Sequence, residues 1–346
     1  MALFGRKKTT VGLDIGSGLI KVAVVDHSKR EPELVKVTVT PLLADAIVEG
    51  EVMDPGIVAD AIKAALASAG VTGRAVVTAV GGRDVIIKKI QIERVKEQQA
   101  RELMRWEAEQ HVPFDMESVE MDFQILDPDA EGVEMSVLLV AAKRELVESK
   151  MRVLTDAGLE PAVVDVEAFA LHNAFEVNHP DAMTGVVGLL NIGHDVTNIN
   201  ILDDGVPLLT RDLTVGTRRF KEDLQRERGL SAEESQSLLQ GFDRSPHLDA
   251  ILETRGEEIA VGFERAAQFL AQSSRGGNVR AIYTSGGGSR IPGLNEMLAA
   301  RLRTTVRQAN PLANLRVRDG ALESLVTDEI APLLMLPIGL ALRQVA

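Results

Sequence analysis

The 346-residue sequence contains no cysteine, which excludes disulfide bonds, thiolate zinc sites and a cysteine nucleophile. Aromatic residues make up only 3% of the chain, so its cores must be built from Val, Leu, Ile and Ala. No stretch approaches the roughly 18 consecutive apolar residues of a membrane span, and the first ten residues lack the apolar core of a signal peptide. The formal charge of −13 argues against broad nucleic-acid binding, which needs a basic surface. We therefore expect a cytoplasmic protein.

Hydrophobic residues make up 45% of the chain, enough for packed cores, and the length suits two ordinary domains or one large bilobed unit. Apolar runs alternate with amphipathic segments, which is typical of an α/β fold. We predict strands at residues 11–15, 19–25, 34–39, 75–80, 85–92, 119–126, 134–142, 186–191, 196–202, 206–212 and 280–285. We predict helices at 57–69, 94–110, 144–157, 216–228, 231–239, 247–274, 293–302 and 333–344, and a buried strand that runs into a helix after Glu160.

One pattern occurs twice in the sequence. GLDIGSGLIKVAVVD (Gly12–Asp26) and LLNIGHDVTNINILD (Leu189–Asp203) align without a gap, with matching residues 177 positions apart. Glycine alone suits a tight turn for steric reasons, so either hairpin by itself is weak evidence of function. Two copies at matching offsets favour a duplicated, two-lobed fold with a cleft between the hairpins.

The first hairpin has the residue types that bind phosphate. Backbone N–H groups of Gly16, Ser17 and Gly18 could converge on phosphate oxygens. Lys21 would add a compact positive charge, and Asp14 could hold Mg²⁺ directly or through water. The hairpin therefore predicts one half of a phosphate site.

Two further elements would complete a nucleotide site. Gly193 and Thr197 of the second hairpin could grip the same phosphates. The turn TSGGGSRIPG (Thr284–Gly293) follows a predicted strand and precedes a predicted helix, and a base and ribose could lie against its backbone. The residues expected to contact the nucleoside there are Gly286, Gly287, Gly288 and Ser289. Each element alone is equally well explained as structural, but the three in this order favour nucleotide binding.

These elements, spread over essentially the whole chain, resemble the actin-like ATPases. Within that superfamily, RWEAEQHVPFD (Arg105–Asp115) followed by MDFQIL, together with VDVEAFAL (Val164–Leu171), resembles the PilM family of type IV pilus assembly proteins. The related cell-division protein FtsA is not similar in these segments. The resemblance implies a bilobed actin-like fold with a duplicated ribonuclease H-like core and a 1C-type β-α-β-β-α insert in the first lobe.

The resemblance also implies a division of the chain and a set of binding partners. Subdomain 1A would comprise residues 9–80 and 161–184 with a C-terminal helix at 333–346, 1C residues 81–160, 2A residues 185–215 and 280–332, and 2B residues 216–279. The cofactors would be ATP and Mg²⁺. The partner would be a PilN-like inner-membrane protein, whose short cytoplasmic tail docks in a groove of 1A and 1C and holds the chain at the inner face of the membrane. The groove residues would be Arg105, Trp106, Glu109, Val112 and Phe114, although the apolar ones could instead serve the insert's own core.

The sequence departs from the family pattern at positions that matter for hydrolysis. Asn191 stands where the second hairpin usually has an acid, and an amide could orient water for Mg²⁺ but adds no charge. Gln236 and Leu239 stand where relatives carry a Glu and a Lys that reach the nucleoside; of these, Gln236 could still bind a ribose. Glu167 matches the catalytic carboxylate that positions the attacking water in bacterial actins, but a carboxylate at a strand end is more often an ordinary solvated residue. We therefore expect ATP binding with slow or absent hydrolysis.

An enzyme of the same superfamily is the alternative. A turnover-competent filament ATPase or an FtsA-like cell-division protein would be expected to keep an acid at position 191. A sugar kinase would need a base and a cluster of hydroxyl-binding side chains in the cleft, and the sequence offers no such cluster. The adjacent His194 and Asp195 are not expected to form a metal site, because neighbours in a turn seldom share a cation.

Overall fold

A computed structural model of the chain describes residues 9–129, 131–241, 245–272, 277–322 and 325–345. The first lobe begins with β1 (Thr9–Ile15), β2 (Leu19–Asp26), β3 (Glu33–Pro41), β4 (Ile47–Val48), β5 (Glu51–Val52), α1 (Pro55–Ser68) and β6 (Ala75–Val80). The insert comprises β7 (Val85–Glu93), α2 (Glu97–His111), β8 (Val119–Ile125), β9 (Glu134–Lys143) and α3 (Arg144–Asp156). The chain then returns to the first lobe with β10 (Glu160–Val166) and α4 (Glu167–Asn178).

The second lobe repeats the opening hairpin and adds a helical layer. Its elements are β11 (Val186–Ile192), β12 (Thr197–Asp203), β13 (Val206–Leu213), α5 (Thr217–Arg228), α6 (Ala232–Gln240), α7 (Pro246–Ile251), α8 (Glu257–Gln272), β14 (Ala281–Ser285), α9 (Leu294–Leu302) and β15 (Thr305–Gln308). The chain ends with β16 (Arg316–Val317), α10 (Thr327–Ile330) and α11 (Met335–Leu342). No helix in the described part of the chain is both long and apolar enough to cross a membrane.

Each lobe is built around one sheet. The first has the strand order β10-β6-β1-β2-β3-β16 and the second β13-β12-β11-β14-β15, so β1 and β11 both lie inside their sheets. Inner strands are covered on both faces and read as continuous apolar runs, and Leu13, Val22 and Leu190 are fully buried. The predicted α/β class and the two-lobed arrangement are confirmed.

The insert has the predicted β-α-β-β-α order, with the three-stranded sheet β7-β9-β8. Its core contains Ile90 and Met104, whereas Val153 and Leu154 of α3 belong to the first-lobe core together with Ile62. The predicted insert of residues 81–160 therefore contains one helix, α3, that packs outside the insert's own core. Its last helix packs on the first lobe, so a contiguous range does not describe the packing unit.

The long helix predicted at 247–274 is divided. A π-helical segment, Leu252–Gly256, separates α7 from α8, and residues 273–274 lie outside the described residues. A Cβ on Gly256 would come 1.9 Å from Cε of Met297, so the glycine allows this segment to press against α9. The sequence pattern shows the apolar face but not this local widening of the helix.

A short strand near the end of the chain joins the first-lobe sheet. Strand β16 pairs in parallel with β3, although residues 280–332 were expected to belong to the second lobe. The predicted C-terminal helix begins at Met335 and ends at Leu342, and residue 346 lies outside the described residues. A Cβ on Gly339 would come 1.7 Å from the carbonyl oxygen of Ala170, so this glycine permits α11 to cross α4 in the first-lobe core.

Candidate functional site

The two hairpin turns are closed by the same backbone hydrogen bond. The N–H of Gly16 donates to the carbonyl of Leu19 at 3.1 Å, and the N–H of Gly193 donates to the carbonyl of Val196 at 2.9 Å. A Cβ on Gly193 would lie 2.8 Å from that carbonyl oxygen, so glycine is needed for the turn itself. The Gly16 N–H is therefore not free for a phosphate, which corrects the predicted set of three converging amides. Within the described residues the N–H groups of Ser17 and Gly18 make no hydrogen bond.

Asp14 and Lys21 face each other across β1 and β2 and form an ion pair. Their side chains are only 8% and 14% exposed, respectively. Two opposite charges in a poorly solvated place stabilise each other where either alone would be costly. The structure thus places these two predicted site residues together at the mouth of the first turn.

The second hairpin has amides at the corresponding places. Asn191 and Asn198 face each other across β11 and β12, and Nδ2 of Asn191 donates to Oδ1 of Asn198 at 3.0 Å. The hydroxyl of Ser285 donates to Oδ1 of Asn191 at 3.2 Å. The predicted metal-site residue Asn191 is therefore fixed by neutral partners within the second lobe.

Asn198 also bridges two carboxylates. Its Nδ2 donates to Oδ1 of Asp212 at 2.8 Å and to Oε2 of Glu167 at 3.3 Å. Glu167 comes from the start of α4 and Asp212 from β13, so the bridge joins the two lobes. Asn198 and Asp212 were missed from the sequence. The offset of 177 from Lys21 could have revealed Asn198, but only the strand register brings Asp212 near it.

Glu167 is packed so that it titrates near neutral pH. A Cβ on Gly81 would lie 2.4 Å from its Oε2, so the carboxylate rests on bare backbone at the end of β6. Burial first, and then the negative charge of Asp212, raise the pKa of Glu167 to about 7 against the opposing effect of Lys150. A carboxyl with such a pKa can accept and return a proton at physiological pH.

Lys150 is a second cation at the site. It projects from α3 and lines a small cavity with Asp14 and Glu167 beneath the first hairpin. Burial lowers the pKa of Lys150, while the two carboxylates raise it. The sequence carried no signal for this residue, because α3 reads only as an amphipathic helix of the insert.

Thr197 and Ser289, two residues predicted to contact the nucleotide, use their hydroxyls inside the protein. The Thr197 hydroxyl is fully buried and donates to the carbonyl of Val215 at 2.6 Å. The Ser289 hydroxyl donates to the carbonyl of Gly286 at 2.8 Å. Each hydroxyl proton thus has a backbone partner, so contacts of these two residues with a nucleotide stay a prediction.

The glycine-rich turn presses mainly on the second hairpin. Cβ atoms on Gly286 and Gly288 would come 2.5 and 2.1 Å from atoms of Ile192, whereas one on Gly287 would meet nothing closer than 3.7 Å. Only Gly287 therefore presents open backbone. Gln236 is partly exposed on α6, which contacts this turn, whereas Leu239 is buried in the lobe core.

A segment of the first lobe, residues 42–54, closes one side of the cleft; we call it the latch. The N–H of Glu49 donates to Oδ2 of Asp195 at 2.9 Å, and Arg218 donates to Oδ1 of Asp45 at 2.8 Å. Asp45 and Glu49 have φ values of +62° and +50°, a left-handed conformation that is uncommon for residues other than glycine. Alongside, the ring of His194 would lie 3.1 Å from a Cβ on Gly18. The two hairpin turns therefore touch, and glycine leaves room for that contact.

The five residues expected to bind a partner do not share one surface. Arg105, Trp106 and Glu109 are exposed on α2, and Trp106, the only tryptophan, is 71% exposed. Val112 is 5% exposed and lies in the core of the insert. Phe114 is partly buried beneath the Lys143 ammonium, 4.9 Å from the ring centre. Val112 therefore serves the insert's own core, the alternative that the sequence left open.

Comparison with known proteins identifies the family and the fold. The family model described as Type IV pilus assembly protein PilM matches residues 12–345. The structure described as PilM-PilN type IV pilus biogenesis complex is 29% identical with a TM-score of 0.85, and the match covers 99% of this chain and 100% of that one. Ethanolamine utilization protein EutJ from Carboxydothermus hydrogenoformans (18% identity, TM-score 0.55, 97% and 90% covered) and MreB5 of Spiroplasma citri bound to AMPPNP (12%, 0.54, 97% and 95%) share the fold. The fold is thus the bilobed actin-like one, and the chain belongs to the PilM family of type IV pilus assembly proteins.

Proposed function

We propose that this protein binds Mg-ATP between its two hairpins and acts as a cytoplasmic scaffold of a type IV pilus inner-membrane complex. It would capture the N-terminal cytoplasmic tail of a PilN-like protein and thereby sit at the inner face of the membrane. The observation that carries this proposal is the full-length match to the structure described as a PilM-PilN complex, at a TM-score of 0.85.

The phosphates would be held mainly by the first hairpin. The N–H groups of Ser17 and Gly18 are unpaired within the described residues. Lys21 would supply the positive charge on the same hairpin. Across the cleft the N–H of Gly193 already donates to the carbonyl of Val196, so Gly193 would lie beside the phosphates without donating to them. Gly287 and Gln236 would contact the nucleoside, because one offers open backbone and the other an amide.

Asp14 fits a magnesium site only with help from the nucleotide. Oxygen ligands suit Mg²⁺, which is usually held by one or two carboxylates together with phosphates and water. In the described ranges no group of three or more His, Asp or Glu side chains is placed to hold a metal. Asp14 would thus supply the charged protein ligand, and Asn191 would contact the ion through water.

The second hairpin would make ATP hydrolysis slow, because it lacks a charged residue where Mg²⁺ would bind. Asn191 brings no charge, and Glu167 is engaged by Asn198 beside Asp212. Glu167 could orient water and accept its proton, given a pKa near 7, but it shares its surroundings with a second carboxylate. A filament ATPase would be expected to keep an acid at position 191, so the scaffold role is favoured over the enzymatic one.

The test is a titration of the protein with two ligands. A synthetic peptide of the N-terminal tail of the PilN-like protein from the same organism is titrated with and without Mg-ATP, and Mg-ATP is titrated alone. We expect saturable binding of both, with ATP turnover well below that of a typical enzyme, roughly 10 s⁻¹. Absence of peptide binding in both conditions would overturn the scaffold role, and absence of heat with Mg-ATP would overturn the nucleotide site.

A further inference from the structure

A second cavity, of about 500 Å³, lies where the chain passes from one lobe to the other. One wall is the end of α4 and the connector, residues 178–182, and the other is the β14–β15 edge of the second-lobe sheet. None of its lining residues belongs to the hairpin cleft. We call it the connector cavity. Its volume is within the usual range of small-molecule sites.

The sheet wall of the connector cavity is set by strand register. Tyr283 and Arg307 are partners across the parallel strands β14 and β15, as are Ala281 and Thr305. Side chains alternate between the two faces of a sheet, so these four share the face turned toward the end of α4. Thr305 and Arg307 on the edge strand β15 are exposed, so the cavity opens to solvent on this side.

Two guanidinium groups line the cavity. Arg280 is anchored, since it donates to Oγ1 of Thr184 at 3.2 Å and to the carbonyl of Ala182 at 3.4 Å. Arg307 is exposed, and within the described ranges its guanidinium makes no hydrogen bond or ion pair. One arginine is thus held in position by the wall and the other is free to close on a ligand.

His179 adds a fixed donor. Its Nε2 accepts the N–H of Asn310 at 3.1 Å, so the ring proton of the neutral form lies on Nδ1. Burial lowers the pKa of His179, which keeps the ring neutral at pH 7. Tyr283 and Phe175 pack against the ring, with centroids 5.5 and 5.0 Å away, and hold its orientation.

Most polar groups that line the cavity are hydrogen-bond donors. The amide oxygen of Asn178 is already used by the N–H groups of Asn314 and Leu315. Asp181 is the one acidic side chain on the described lining, and it is exposed. Paired arginines beside neutral donors are suited to carboxylate and phosphate oxygens, which accept forked hydrogen bonds.

We propose that the connector cavity binds a small anion, a phosphate- or carboxylate-bearing metabolite no larger than a mononucleotide. Arg280 and Arg307 would grip the anionic group, His179 and the hydroxyls of Tyr283 and Thr305 would complete its hydrogen bonds, and Asp181 would weaken binding by repulsion. Because one wall is the connector and the other is the second-lobe sheet, an occupied cavity would also stabilise their relative placement.

The test is calorimetric titration of the full chain at constant ionic strength with two probes, pyrophosphate for the phosphate class and citrate for the carboxylate class. We expect at least one to bind, Arg307→Glu to weaken that binding at least tenfold, and Asp181→Asn to strengthen it. Arg30→Glu, a change of the same charge on an exposed residue outside the cavity, should leave it unchanged. Melting temperatures of all variants are measured in parallel.

A parallel titration of the Lys21→Glu variant distinguishes this cavity from the hairpin cleft. Binding that persists in this variant and falls with Arg307→Glu supports the connector cavity whether or not the cleft binds ATP. The proposal is overturned if neither probe binds at millimolar concentration, if binding disappears with Lys21→Glu, or if Arg307→Glu and Arg30→Glu bind alike.

Discussion

Asn198 stands across from Asn191 in the second hairpin at the place where Lys21 stands across from Asp14 in the first. The two hairpins therefore keep the same strand pairing and the same turn hydrogen bond but differ in charge. The first presents an ion pair, whereas the second presents two amides, one of which holds Glu167 and Asp212. The two halves of the cleft thus differ in charge at one pair of equivalent positions.

Reversing the charge of Lys21 should remove nucleotide binding. Lys21→Glu loses one attraction and adds a repulsion beside a triphosphate, at about 4 kcal/mol for a close pair at an effective dielectric constant of 20. We expect the affinity for Mg-ATP, measured by calorimetry, to fall at least 100-fold. Lys63→Glu, a reversal on the exposed side of α1, is the matched control. Equal affinity of Lys21→Glu and the control would reject the phosphate assignment of the first hairpin.

Restoring an acid in the second hairpin should speed hydrolysis. Asn191→Asp adds a charged ligand for Mg²⁺, and its carboxylate can still accept the Ser285 hydroxyl. We expect the steady-state release of phosphate to increase at least severalfold over the parent. Asn191→Ser, which adds no charge, serves as the control. A rate that rises equally in both variants would show that the amide only obstructs the site.

Gly81→Ala should destabilise the protein through Glu167. The new Cβ would lie 2.4 Å from the carboxylate, and relieving such a clash in a packed site typically costs about 1–3 kcal/mol. Gly73→Ala is the matched control, since a Cβ there meets nothing within 4 Å. The double variant Gly81→Ala/Glu167→Ala should recover part of the loss in melting temperature. No recovery would mean that the strain has another source.

The stability contribution of Glu167 should depend on pH. The folded protein holds its proton up to pH of about 7, whereas the unfolded chain releases it near 4.5, so the free energy of unfolding falls as pH rises between these values. Glu167→Gln removes that loss, which we put at about 1–3 kcal/mol. The melting temperature of Glu167→Gln, relative to that of the parent protein, should therefore increase from pH 5 to pH 8. A difference that stays constant over this range would contradict the raised pKa.

Arg105→Glu should weaken binding of the PilN-like tail at least tenfold while leaving the melting temperature and ATP affinity nearly unchanged, because Arg105 is exposed. Val112→Ala should instead lower the melting temperature, because Val112 is in the core of the insert. Tail affinity is read by calorimetry with Arg30→Glu as the charge control. If Arg105→Glu binds the tail as tightly as this control does, the docking surface is not on this face of α2.

Local patterns predicted the elements of the fold well. The strand at 75–80 and the hairpin strands correspond to apolar runs bounded by turn residues. The hairpin pattern that recurs 177 positions later predicted the two lobes. The packing of α3 on the first lobe and the pairing of β16 with β3 depend on contacts between distant segments. No periodicity within a segment encodes such contacts, so the sequence could not predict them.

The site was predicted where a motif lies on one hairpin and missed where it is assembled from several elements. Asp14 and Lys21 are cross-strand neighbours seven residues apart, so one hairpin register brings them together. Lys150 on α3 and Asp212 on β13 both lie near Glu167. Their proximity is visible only in the assembled fold. The hydroxyl of Thr197 has a backbone partner in a distant loop, Val215, which the hairpin sequence could not show, whereas that of Ser289 has its partner, Gly286, in its own turn.

The latch has a kinetic consequence for any nucleotide held behind it. Its contacts with Asp195 and Arg218 must break before the lobes can part on that side, and Leu43 and Met53 at its ends already face solvent, 66% and 63% exposed. We expect exchange of a bound nucleotide to proceed at the rate at which these two contacts open, independently of how tightly the phosphates are gripped. The dwell time of the loaded state would then be set by a surface segment that a neighbouring protein can reach.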